Sequence, residues 1–142
     1  RVNKLGVPSF VFSREEFIAG VPILEKLAEY DVCLIVLAGF MNKISDVILQ
    51  AFPGKIVNIH PALLPKYGGK GMYGMHVHEA VVKAGERESG ITIHYINEHY
   101  DEGAIIFQAS CPVLPSDTPD EVAAKVHALE YAHYPHVIES LL

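Results

Sequence analysis

An α/β fold, with an open, mostly parallel twisted sheet and helices on both faces, is what this sequence predicts, and three observations carry that expectation. Cys33-Leu-Ile-Val-Leu37 is an unbroken apolar run, the pattern of a strand covered on both faces as in a parallel sheet. Two capping boxes, Ser13-Arg-Glu-Glu16 and Thr118-Pro-Asp-Glu121, mark helix starts by pairing an N-cap hydroxyl with a glutamate three residues on. Strand-like and helix-like segments alternate through the first half in the order βαβαβ, the arrangement that joins parallel strands by crossover helices.

The elements follow in order. Ser9-Phe-Val-Phe12 reads as a short strand, and the first capping box opens a helix on which Phe17, Val21, Leu24, Leu27 and Ala28 recur at helical spacing. Pro22 is expected to kink or restart that helix, because proline lacks the N–H that the ladder needs. The run from Cys33 to Leu37 is expected to be a central strand. Beyond the loop at residues 38–42, residues 45–52 look helical until Pro53-Gly54 ends them, and Lys55-Ile-Val-Asn58 is the next strand. Gly68-Gly-Lys-Gly-Met-Tyr-Gly74 holds four glycines in seven residues. It is expected to form a mobile loop, not a dinucleotide fingerprint, since no strand precedes it. Residues 75–84 have helical spacing with Gly85 as a stop, residues 90–97 alternate apolar and polar, and residues 104–113 form another strand. Thr118 opens the long C-terminal helix with Pro119 in its first turn, and Pro135 is expected to kink or restart it.

With 142 residues, half of them hydrophobic, the chain suits one domain spanning 1–142. A formal charge of -6 and only eleven scattered Lys and Arg residues argue against nucleic acid as a partner, because phosphate neutralisation needs clustered cations. No apolar run approaches the roughly 20 residues that cross a bilayer, so no membrane association is expected. Cys33 and Cys111 have neither C-x-x-C spacing nor a partner set, which fits reduced, buried thiols in a cytoplasmic protein.

The chemistry concentrates in Asn58-Ile-His-Pro-Ala-Leu-Leu-Pro-Lys-Tyr67. Residues i and i+2 of a strand share a face, so Asn58 and His60 point the same way from a carboxyl strand end, where open α/β sheets bind ligands. Pro61 and Pro65 stiffen the turn behind them. An amide donor beside an imidazole suits acyl or formyl transfer, whose intermediate develops a negative oxygen. The loop Tyr100-Asp-Glu-Gly103 offers Asp101 as the carboxylate, with Gly103 permitting a turn that a larger residue resists. On spacing alone, a purely structural strand end remains the open alternative. His94, on one strand face with Thr92, reads as a supporting or core histidine. His76-x-His78 in a helical segment puts two rings on different faces with nothing to complete a metal site, so no metal is expected and His76 is a possible wall of the site.

That ten-residue run resembles the N-[IV]-H-P-[SA]-L-L-P signature of the folate-dependent formyltransferases, in the form found in the branch acting on glycinamide ribonucleotide. Val36-Leu-Ala-Gly-Phe-Met41, Gly90-Ile-Thr-Ile-His94, Asp101-Glu-Gly-Ala-Ile-Ile106 and Glu130-Tyr-Ala-His-Tyr-Pro135 join it in the family's order, from about Ser13 onward. The resemblance implies a Rossmann-related formyltransferase fold. It also implies metal-free transfer of the formyl group of 10-formyltetrahydrofolate to the amine of glycinamide ribonucleotide in purine synthesis, by direct attack. Asn58 and His60 would face the formyl carbon, and Asp101 would hold and charge His60 and order a proton-carrying water.

The same resemblance lays Met41, Asn42, Lys43 and Ile44 along the folate's pterin ring through their backbone, and Asn97, Glu98, His99, Tyr100 and Asp101 on its other side. Asn42 stands where relatives often carry arginine, which leaves Arg14 as the candidate for the folate tail. Glu130 would bind the ribonucleotide, with His127 one helical turn earlier on a similar face. The family's opening strand, Gly-rich turn and helix, which cradle the substrate phosphate, are not recognisable before Ser9, so an N-terminally incomplete domain is expected. A formyltetrahydrofolate hydrolase or a noncatalytic folate-binding fragment is the alternative, although hydrolases usually read N-I-H-x-x-F-L-P where this chain has Leu63, Leu64 and Pro65.

Overall fold

In the computed structural model, residues 2–40, 42–98 and 103–142 are described. After a 3₁₀ turn at Val2–Leu5 come helices α1 (Arg14–Ala19) and α2 (Val21–Glu29), strand β1 (Ile35–Leu37), α3 (Asp46–Ala51), β2 (Ile56–His60), α4 (Met75–Lys83), β3 (Glu88–Tyr95), β4 (Ile105–Pro112) and α5 (Pro119–Ser140). The four strands form one sheet in the order β1-β2-β3-β4. Its open α/β character is as expected, but among the described strands the pairing is mixed and not mostly parallel. Only β1 and β2 run parallel, and β3 and β4 are antiparallel to their neighbours. β3 and β4 follow one another in the chain order, an arrangement that permits antiparallel pairing without a crossover helix.

The first half departs from the βαβαβ expectation. Residues 9–12 form no strand; their aromatic side chains pack on helices instead, Phe10 against Tyr30 at 5.5 Å and Phe12 against Phe17 at 6.0 Å between ring centres. The Ser13 capping box is present with both of its bonds. The helix it opens ends at Gly20, whose φ of 77° is left-handed, and α2 restarts there with Pro22 in its first turn, where no ladder N–H is lost. A side chain at Gly20 would run into Ser45, so the break also brings the α1–α2 corner against the start of α3.

β1 is shorter than the apolar run, and among the described strands it lies at the sheet edge, not its centre, with Val36 38% exposed. Cys33 is exposed just before it, against the expectation of a buried thiol, while Cys111 on β4 is partly buried. At the other end Thr118 caps α5 by accepting from the Glu121 N–H. Its hydroxyl also donates to the Glu121 carboxylate at 3.2 Å, in place of the reciprocal backbone contact of a full box. α5 then continues through Pro135 to Ser140 without restarting.

Two apolar clusters flank the sheet. The larger joins Val77 and Val81 of α4, Ile91 and Ile93 of β3, and Val122, Val126 and Tyr134 of α5. The smaller joins Ile44, Ile48 of α3 and Ile56 of β2, with Ile23 and Leu27 of α2 against them. Alternation along β2 sends Ile56 to the smaller cluster and Ile59 to the larger, so the two lie on opposite faces.

Candidate active site

A polar stripe crosses the otherwise apolar sheet. In the strand register His60 lies opposite Thr92, which lies opposite Gln108, and Asn58 lies opposite His94. The Thr92 hydroxyl, fully buried, donates to the Ala62 carbonyl at 2.7 Å and accepts from the Leu64 N–H at 3.0 Å and Gln108 Nε2 at 2.9 Å. Gln108 Nε2 also donates to the Leu64 carbonyl at 3.0 Å. The turn after β2 is thereby clamped to the sheet on both its donors and its acceptors. An unmade bond there would leave a buried polar group at a cost of about 1–3 kcal/mol.

That clamp fixes the two residues at the end of β2. The Tyr95 carbonyl can only accept, so His94 Nδ1, 3.0 Å away, donates to it, and His94 Nε2 is left as the acceptor for Asn58 Nδ2 at 3.4 Å. One Asn58 N–H is thus used for anchoring, and the amide retains a second. His60, 4% exposed, donates from Nε2 to the Tyr67 carbonyl at 2.7 Å. Tyr67 reaches this position with a φ of 57°, uncommon for a residue with a side chain. Its hydroxyl donates to Glu86 at 2.9 Å. Hydrogen bonds from Tyr67 and from Lys66 hold the Glu86 carboxyl below the usual carboxylate range.

The end of β2 borders a cavity of about 900 Å³, in the range of small-molecule sites. Asn58 and His60 line it, as do Asn42, Lys43 and Ile44 from the loop after β1, and Asn97 and Glu98 from the loop after β3. α5 contributes His127 and Glu130, which face each other at 3.1 Å. The Gly-rich segment 69–74 forms another wall. Arg14 is exposed at the start of α1 and is not among the lining residues. Met41, His99, Tyr100 and Asp101 lie outside the described residues. The histidine that lines the cavity from α4 is His78, not His76. His78 is buried on the helix face toward α5, while His76 is exposed beside Tyr73.

Thr92, Gln108, Tyr67 and Tyr134 support the site without having been singled out for it from the sequence. The signal for Thr92 was there, a polar residue within an apolar strand; Gln108 lies at an exposed position of β4 and gave none. Tyr134 gave none; its hydroxyl donates to the Leu37 carbonyl at 2.7 Å, tying α5 to the end of β1 across 97 residues of sequence. Among the described residues no group of three or more His, Cys, Asp or Glu side chains is placed to hold a metal ion. No described helix is long and apolar enough to cross a membrane.

The chain belongs to the Formyl transferase family, whose sequence model matches residues 2–138. Within it, the chain is 41% identical over 141 residues to the chloroplastic phosphoribosylglycinamide formyltransferase of Arabidopsis thaliana, covering 96% of this chain and 48% of that protein. It is 38% identical over 146 residues to the phosphoribosylglycinamide formyltransferase of Bacillus subtilis (strain 168), covering 100% of this chain and 72% of that protein. The crystal structure of the phosphoribosylglycinamide formyltransferase from Streptococcus pneumoniae TIGR4 is similar at a TM-score of 0.88 and 38% identity, covering 99% of this chain and 77% of that one. The chain spans about half the length of the plant relatives it matches.

Proposed function

We propose that this chain carries the reaction cavity for transfer of a formyl group from 10-formyltetrahydrofolate to the amine of glycinamide ribonucleotide. The observation that carries the reading is convergence. Residues far apart in sequence, Asn58 and His60, the loops at 42–44 and 97–98, and the His127–Glu130 pair, border one cavity of about 900 Å³. The relatives named phosphoribosylglycinamide formyltransferase support the substrate assignment.

In this reading the substrate amine attacks the formyl carbon directly. A carbon–nitrogen bond forms, the carbonyl oxygen becomes negative, and the intermediate collapses as the bond to the folate nitrogen breaks. The remaining Asn58 N–H donates to the oxyanion and the positive charge of His60 stabilises it, which is worth most where the groups are already fixed. The clamped turn after β2 supports that fixity. Asp101 holds His60 and, through a water, moves the proton shed by the amine to the leaving folate nitrogen, so protons balance without a metal. Glu130 and His127 hold the ribonucleotide, and residues 41–44 and 97–101 hold the pterin from two sides.

The test is an assay of the complete protein with 10-formyltetrahydrofolate, with and without glycinamide ribonucleotide. Formylated ribonucleotide, formed only when both are present, is the expected result. Formate release that ignores the amine would replace this reading with a hydrolase. Folate binding without any turnover would replace it with a noncatalytic module.

A further inference from the structure

We propose that His78, a residue outside the Asn58–His60–Asp101 set, is a neutral hydrogen-bond donor that holds an oxygen of the amine substrate through its Nε2–H. The inference rests on the reading that an amine-bearing ribonucleotide occupies the α5 end of the cavity.

His78 sits in the first turn of α4, 2% exposed, yet lines the cavity. Its Nδ1 is buried with no hydrogen-bond partner. Among the described residues Nε2 makes no hydrogen bond, and it is not among the sealed atoms, so it is the nitrogen that opens to the cavity. A neutral imidazole carries one N–H and one lone pair. Buried N–H groups are orphaned more rarely than buried acceptors, so the sealed Nδ1 takes the lone pair and the proton goes to Nε2, facing the ligand space.

The surroundings keep the ring uncharged. Burial lowers its pKa, and His127 and His60 lower it further. The first turn of a helix also disfavours a cation, because the macrodipole is positive there. Glu130, on the same helix as His127, is engaged with it at 3.1 Å. His78 and His127 have ring centres 6.4 Å apart. A substrate that reaches the His127–Glu130 pair therefore passes within reach of His78 Nε2, and a sugar hydroxyl or amide oxygen is the acceptor that such a donor takes.

The test uses three variants of the complete protein, assayed for formyl transfer with glycinamide ribonucleotide and 10-formyltetrahydrofolate. His78→Leu removes the donor while filling the apolar pocket around Nδ1. It is expected to raise KM for the ribonucleotide about tenfold, leave KM for the folate unchanged, and not lower the thermal midpoint, since an orphaned buried nitrogen goes with it. His78→Gln sets an amide nitrogen near the Nε2 position and is expected to restore KM to within about threefold. His78→Asn sets it near Nδ1 and is not. A leucine variant with wild-type KM for the ribonucleotide, or one that loses stability and both KM values together, overturns the proposal. If the wild-type protein itself transfers no formyl group, the formyl-transfer reading fails first and His78 falls with it. A wild-type that transfers normally beside an indifferent leucine variant removes His78 alone.

Discussion

The two faces of the sheet are built to different standards. On the α4–α5 face, Val77, Ile91, Ile93, Val122 and Val126 are at most 1% exposed. On the other face the buried residues of the core, among those described, are Ile44, Ile48 and Ile56; α1 and α2 contain no buried residue, and Ile18 and Val21 are 69% and 49% exposed. A groove of about 290 Å³, lined by Phe17, Ile23 and Leu27 among others, runs beside Ile48. The cavity lies on the seam, taking residues 37–40 and 42–44 from the loosely packed side and His78, His127 and Glu130 from the dense one. The contrast teaches that the polar stripe, not the amount of packed hydrocarbon, positions Asn58 and His60. They share a strand face with Ile56, in the smaller cluster, and are held by hydrogen bonds to β3 and to the turn.

The comparison is most directly tested by one chemical change made twice. Ile91→Ala and Ile48→Ala delete the same atoms, and such changes cost about 2–5 kcal/mol depending on how far the site collapses. Ile91 is expected near the top of that range and Ile48 near the bottom, by chemical denaturation. Equal losses would erase the distinction between the faces. Turnover comes next. His60→Ala and Asp101→Asn are each expected to reduce it by about 10²–10³, and the double variant by less than the product, because the pair acts as a unit. A multiplicative double mutant would separate the two residues.

Smaller effects sharpen the role of the stripe. Thr92→Val keeps the side-chain shape but strips the Leu64 N–H and Ala62 carbonyl of their partner. It is expected to cost about 1–3 kcal/mol, and a neutral outcome would mean that the turn finds other partners. Tyr134→Phe removes only the bond to Leu37 and is expected to cost about 0.5–1.5 kcal/mol, by denaturation midpoint.

The last expectation concerns acid. Hydrogen bonds from Lys125 and from the Leu114 N–H hold the Asp117 carboxyl below its ordinary range. Its stabilisation is therefore present above the unfolded carboxyl pKa, about 3.9, and is lost as pH falls through the lower folded value. Asp117→Asn is expected to flatten that part of the acid-unfolding curve, and a curve of unchanged slope would show that other carboxylates set it.

How much of this was legible in the sequence follows from which forces are local. The capping residues Ser13 and Thr118 and the strands around Asn58 and Gly90 were readable, because a cap or an alternation is written within a few residues. The helix break was placed two residues late, at Pro22, since proline fits a first turn and the left-handed Gly20 was the true stop. Residues 9–12 are mostly apolar and β-prone like a short strand, yet a strand exists only if a neighbour pairs with it, and no local pattern supplies one. The pairing sense of β3 and β4 was missed for the same reason. At the site, Asn58 and His60 were marked by spacing, and Glu130 only by resemblance. His78 was passed over for His76, because two histidines two apart on a helix look equivalent until packing buries one. Tyr134 and Leu37 meet across most of the chain, beyond the reach of any window.

That last contact also has an entropic side. Strands β2, β3 and β4 and helix α4 can assemble from neighbouring stretches of chain, whereas the wall formed by His127, Glu130 and Tyr134 must come back from the far end, with Tyr134 bonding Leu37 across 97 residues. Closing so long a loop carries an entropic cost that grows with its length, and distant contacts slow folding. The wall of the cavity on α5 is therefore the part whose placement carries the largest loop-closure cost, and the Tyr134 bond to Leu37 is what holds it in place once closed.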